Sequence, residues 1–189
     1  AGIIMNNGGI ALKLVNFAKV LSGKLPGSLA HTNVVGNMLF GAVSGSSVAA
    51  AAAIGGTMAP LQEEEGYDKN YSAAVNIASA PTGLLIPPSN SLIIYSLVSG
   101  GPGILWGLSV MAVAFILAKK YKYSSKYKVS FSEAMKIFID ALPSLALIFI
   151  IIGGIVGGIF TATEGAAVAV VYSFILSFFF YKSIKLKDM

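Results

Sequence analysis

From Asn70 to Ala118 the chain carries no charged residue, as segments that cross lipid require. Yet the first half of that run contains "SAPTGLLIPPSNS" (79–91), with three prolines, one glycine and five hydroxyl or amide side chains. Proline removes a backbone donor and breaks a helix interior. Irregular backbone at membrane depth is tolerated only where it is buried in protein or lines a cavity. The break therefore asks for a function.

Composition agrees with the membrane class. The chain is 56% hydrophobic and 11% charged, with a mean hydropathy of +0.79, against about 25% charged for soluble domains. The net charge of +5 rests on 13 basic residues that are all lysine. They cluster between the apolar runs, which suits loops at an anionic membrane face and not nucleic acid. Cysteine is absent, so neither a disulfide framework nor a thiolate metal site is available. The start "AGIIMNNGG" has no initiator Met and no basic leader region, and is expected to be internal to a longer protein.

The charge-free intervals, 25–62, 70–118, 141–163 and 165–181, set the expected organisation. Residues 1–24 read as the end of a transmembrane helix plus an interfacial helix, and 61–70 as an acidic cytoplasmic loop. Residues 71–101 form a broken transmembrane helix and 102–121 a spanning helix. A basic cytoplasmic loop and amphipathic arm helix occupy 122–142, and spans follow at 143–160 and 161–182. A basic tail, 183–189, ends the chain. The lysine-dense "KKYKYSSKYK" (119–128) should be cytoplasmic. Counting crossings puts 61–70 and the terminal lysines on the same side. Ser130 with Glu133, and Thr161 with Glu164, have capping-box spacing. Pro143 fits the first turn of a new helix.

Residues 25–60 read either as one long span with a polar middle or, if Lys13, Lys19 and Lys24 are cytoplasmic too, as a segment that enters and leaves on one side. We expect a re-entrant hairpin with arms 29–43 and 48–59, about 22 and 18 Å long, turning at "SGSS" (44–47). A hairpin tip and a helix break at similar depth can build an ion site, because helix ends and freed carbonyls take charged ligands there. Ser44, Gly45, Ser46 and Ser47 at the tip, with Thr82, Gly83, Pro88, Ser89 and Asn90 at the break, are the candidate ligands for Na⁺. Pro81, Pro87 and Pro88 are expected to leave the carbonyls of 78–84 free.

Other polar residues read as structural. His31 is the only histidine and sits near an arm's start; Glu63 to Glu65 read as a solvated loop, and Glu164 as a cap. An intramembrane serine protease needs a histidine facing its serine. His31 lies on the arm that leads to Ser44, about three and a half turns away, and cannot reach.

The stretches "MNNGGIALKLVNFA" (5–18), "LPGSLAHTNVVGNMLFGAVSGSSVAAAAAIGG" (25–56), "EGYDKNYSAAVNIASAPTGLLIPPSNSLIIYS" (65–96) and "GIFTATEGAAVAVVY" (158–172) resemble the large membrane subunit of TRAP transporters. These are bacterial tripartite, sodium-driven systems for organic acids. The wording "SAPTGLLIPPSN" is similar above all to the sialic-acid members. The resemblance implies an all-α, multi-pass protein of the bacterial inner membrane, working as an elevator. In such a protein a transport domain with hairpins and broken helices slides against a scaffold. It implies no enzyme activity, Na⁺ as coupling ion and no organic cofactor. Its partners would be a small four-helix membrane subunit, a soluble periplasmic binding protein and the lipid bilayer, with no nucleic acid.

The resemblance implies that this sequence is the first of two inverted repeats and the start of the second. Members of the family usually carry further residues between "SGG" and "PGI", where Gly101 here meets Pro102 directly, so either this member is shorter there or a loop is missing from the sequence. With no arginine to clamp a carboxylate, the substrate contacts available here are amides and hydroxyls, and Asn33, Asn76 and Ser79 are the candidates. The alternative is a sodium-coupled dicarboxylate elevator transporter that works without a binding protein.

Overall fold

The computed structural model describes residues 8–85, 102–123 and 129–181. The described residues form helices α1 (Ile10–Ser22), α2 (Ser28–Ser44), α3 (Ser47–Glu64), α4 (Lys69–Ser79), α5 (Thr82–Leu85), α6 (Pro102–Lys120), α7 (Phe131–Val156) and α8 (Ala162–Ile175). A π-helical turn, Leu176–Phe180, extends α8. The fold is all-α, as expected.

The hairpin forms where the serine–glycine cluster puts it. Gly45 closes α2 with φ +61°, donating its N–H to the Gly41 carbonyl at 2.8 Å. Only glycine adopts that left-handed conformation without strain. Ser46 then caps α3, its hydroxyl accepting from the Ala49 N–H at 3.3 Å. The second arm is longer than expected: α3 runs through Pro60 to Glu64, so the acidic residues continue a helix, and the loop shrinks to the residues around Tyr67.

Helix α2 is the centre of the bundle. It packs on α1, α3, α4, α5 and α6, and its Ala30, Val34 and Phe40 are fully buried. Helix α1 is no free interfacial element, for Ile10, Leu14, Val15 and Ala18 are fully buried as well. Where α1 meets α2, the Ser22 and Thr32 hydroxyls lie 2.7 Å apart, one donating to the other, which in turn donates to a carbonyl of its own helix at 2.8 Å.

A second joint explains the "GYD" triplet. Asp68 caps α4, its carboxylate accepting from Asn70 and Tyr71 N–H groups at 3.0 Å. The Tyr67 ring stacks on Tyr123 at 4.1 Å, whose hydroxyl accepts from the Asp68 N–H at 3.0 Å. Asp68→Ala is expected to cost about 1 kcal/mol. Hydrogen–deuterium exchange should show faster amides at the start of α4, with little change elsewhere.

The capping boxes form at both expected places. Glu133 accepts from the Ser130 N–H at 3.2 Å, and Glu164 from the Thr161 N–H at 2.7 Å. The expected boundary at Pro143 does not exist, because α7 passes straight through it. Downstream tyrosines brace α7 beside the proline, with Tyr172 donating to the Pro143 carbonyl at 3.0 Å and Tyr181 to that of Asp140 at 3.2 Å. The arm and the span are therefore one rod.

Among the described residues, Phe131–Val156 and Thr163–Phe180 are long and apolar enough to cross a membrane, with mean hydropathies of 2.3 and 1.7. Large apolar side chains point outward along both and along α6, including Leu105, Ile116, Phe149 and Phe179. That is the surface a lipid solvent selects.

Candidate functional site

The break lies where Pro81 places it. Helix α4 ends at Ser79, and α5 starts after Pro81. The carbonyls of 78–81 are nevertheless not free, which corrects that part of the expectation for 78–84. The indole N–H of Trp106 donates to the Ala78 carbonyl at 2.9 Å, and the Thr82 hydroxyl to that of Ser79 at 2.6 Å. The carbonyls of Ala80 and Pro81 accept from the N–H groups of Gly83 and Leu84 at 3.3 and 3.0 Å. In apolar surroundings an unpaired carbonyl is costly, so each finds the nearest donor.

Hairpin and break meet backbone to backbone. A Cβ added at Gly41 would lie 2.2 Å from the Gly83 Cα, and one added at Gly83 would lie 2.2 Å from the Gly41 Cα. Only two glycines allow that approach. Gly41 is one turn before the tip, so α5 packs directly below Ser44, Gly45, Ser46 and Ser47. The tip is half-buried and tied to itself, with Ser44 and Ser46 bonded at 3.3 to 3.4 Å. Thr82 and Gly83 are buried beside the hairpin. Pro88, Ser89 and Asn90 lie outside the described residues.

The amides expected to meet substrate do come together, around a residue the sequence reading missed. Asn37 is fully buried, and its Nδ2 shares its two hydrogens among three acceptors, Asn33 Oδ1 at 2.8 Å, Ser79 Oγ at 2.7 Å and Asn76 Oδ1 at 3.1 Å. Asn76 Nδ2 in turn donates to the Ala51 carbonyl at 3.0 Å. This knot joins both hairpin arms to the helix just before the break. Ser79 is fully buried inside it. The available signal was the i, i+4 spacing of Asn33 and Asn37, which puts both on one face of α2.

Asn33 and Asn76 also line a cleft of about 390 Å³ between α2, α3 and α4. Small, exposed residues from one face of α3, Ala52, Gly56 and Ala59, line one side, and exposed Glu63 and Lys69 lie at one end beside the buried Tyr67. Lys69 bonds Glu63 at 2.8 Å, and that carboxylate holds the lysine above its ordinary pKa. Burial pushes the Tyr67 phenol up as well. His31 is buried at the far side of α2, its ring 6.2 Å from that of Phe115. No group of three or more metal-ligating side chains occurs among the described residues.

Comparison with known proteins bears on the whole of this arrangement. The sequence profile of the family "Tripartite ATP-independent periplasmic transporter, DctM component" matches residues 1–189. The uncharacterized protein YgiK of Salmonella typhimurium is 56% identical over 94% of this chain, which covers 43% of that protein. The C4-dicarboxylate TRAP transporter large permease protein DctM of Vibrio cholerae is 39% identical over 96% of the chain, again covering 43% of the relative. The sialic acid TRAP transporter permease protein SiaT of Haemophilus influenzae is 35% identical over the full chain, which covers 32% of it. The chain thus spans less than half the length of these curated relatives.

Proposed function

The chain belongs to the DctM component family of tripartite ATP-independent periplasmic transporters, and from that premise we propose that it is the hairpin-bearing half of a sodium-driven importer of organic acids. The family is one of membrane permeases, not enzymes. In this reading the hairpin tip and the break form a cation site, with Ser44, Gly45, Ser46, Ser47, Thr82, Gly83, Pro88, Ser89 and Asn90 as its ligands. The hairpin, the break and the knot move together as the transport unit of an elevator in the bacterial inner membrane. A small four-helix membrane subunit completes the scaffold, and a soluble periplasmic binding protein delivers the substrate.

The observation that carries the reading is the Gly41–Gly83 contact. It holds a broken helix directly below a helical tip rich in hydroxyls, so movement of one element carries the other. Sodium is a hard cation, and neutral hydroxyl and carbonyl oxygens suit it. Relatives named for C4-dicarboxylates and for sialic acid support a carboxylate as the substrate.

The test is uptake of labelled succinate and of labelled sialic acid into proteoliposomes that hold the full-length transporter with its membrane subunit and binding protein. One of the two acids should accumulate only under an inward Na⁺ gradient and only with the binding protein present. Accumulation without the gradient would remove sodium coupling from the account. Accumulation without the binding protein would favour the dicarboxylate elevator that works alone.

A further inference from the structure

We propose that the cleft between α2, α3 and α4 holds the transported acid, with Lys69 exchanging its partner Glu63 for one of its carboxylates. The inference rests on the transport reading above and extends the expected substrate contacts, Asn33 and Asn76, to Lys69 and Ser72. Asn33 stands eleven residues before Ser44 on α2, about 16 Å along the helix, which sets the acid apart from the hairpin tip.

Three features select an anion. Lys69 is the only basic residue lining the cleft among the described residues. It is exposed at the mouth and pairs there with Glu63, which is exposed as well, so the pair opens at little cost. Deeper in, Lys69, Ser72 and Asn76 fall on one stripe of α4 at i, i+3 and i+7. The wall groups are also unsatisfied: Asn33 Nδ2 and Ser72 Oγ are buried with no hydrogen-bond partner. A carboxylate is a pure acceptor, so it suits an ammonium at the mouth with an amide N–H and a hydroxyl behind it.

The space is also kept open. Ala52, Gly56 and Ala59 share one face of α3, and a Cβ built at Gly56 meets no atom within 4 Å. A side chain placed there enters the cleft without disturbing the packing beneath. The volume of about 390 Å³ admits a small organic acid.

Equilibrium binding of labelled succinate and of labelled sialic acid to the purified full-length transporter, in sodium-free buffer, tests the site directly. Lys69→Gln should weaken binding of the acid that binds by about tenfold, the value of one charged hydrogen bond. Glu63→Gln should strengthen it several-fold by releasing the lysine, and Gly56→Val should abolish it. A salt bridge that only staples α3 to α4 predicts the same direction for both charge variants, and that result overturns the proposal. Binding that survives Gly56→Val, or no binding of either acid, overturns it too. Opposite shifts in a transporter whose uptake ignores sodium would leave the cleft standing and remove only the sodium coupling.

Discussion

Gly41→Ala is expected to push the hairpin away from the break and destabilise the bundle by about 1–3 kcal/mol, the usual cost of overpacking a filled interior. The figure belongs at the upper end, because the new methyl would sit 2.2 Å from the Gly83 Cα. What it meets is backbone, with no flexible side chain to move aside. Gly56→Ala is the matched control. It adds the same methyl to a helix where nothing lies within 4 Å, and gains up to about 1 kcal/mol of helix propensity. Thermal unfolding of the two purified variants should therefore move in opposite directions. Equal shifts would mean that the α2–α5 contact does not hold the site together.

Asn37→Leu has the second large effect. The substitution conserves size but removes both N–H donors from among Asn33 Oδ1, Ser79 Oγ and Asn76 Oδ1, stranding two of these acceptors. Each stranded buried group costs about 1–3 kcal/mol, so a loss of at least about 2 kcal/mol is expected. Asn37→Asp should be worse than Leu, because it sets a carboxylate among oxygens that need a donor. Denaturation midpoints of the wild type and both variants check the order. An Asp variant as stable as wild type would show that the knot is fed by donors other than Asn37.

Much of the architecture was legible because local chemistry decided it. The turn at Gly45 follows from a glycine between serines, and the break from Pro81. Two helix starts follow from the Ser130–Glu133 and Thr161–Glu164 boxes. Each needs only neighbours in sequence. The failures share the opposite cause. Pro143 reads as a helix start, yet α7 runs through it, braced by tyrosine hydroxyls from 29 and 41 positions downstream of the carbonyls they bond. The carbonyls at the break read as free, yet the donor to Ala78 is Trp106, 28 residues away. Asn37 was passed over because its worth depends on Ser79 and Asn76, which only packing brings to it. Sequence spacing can show that a backbone group is released. It cannot show which distant side chain reclaims it.

The central claim is that tip and break together hold sodium, and equilibrium binding of radioactive Na⁺ to the purified full-length transporter tests it most directly. Ser46→Ala removes one proposed ligand but also a helix cap, whereas Asp68→Ala removes a comparable cap at the start of α4, away from the tip. The account predicts saturable binding that weakens about tenfold in Ser46→Ala, the loss of one ion–oxygen contact, and keeps its wild-type affinity in Asp68→Ala. Equal affinity in the wild type and Ser46→Ala, or an equal loss in both variants, would contradict it.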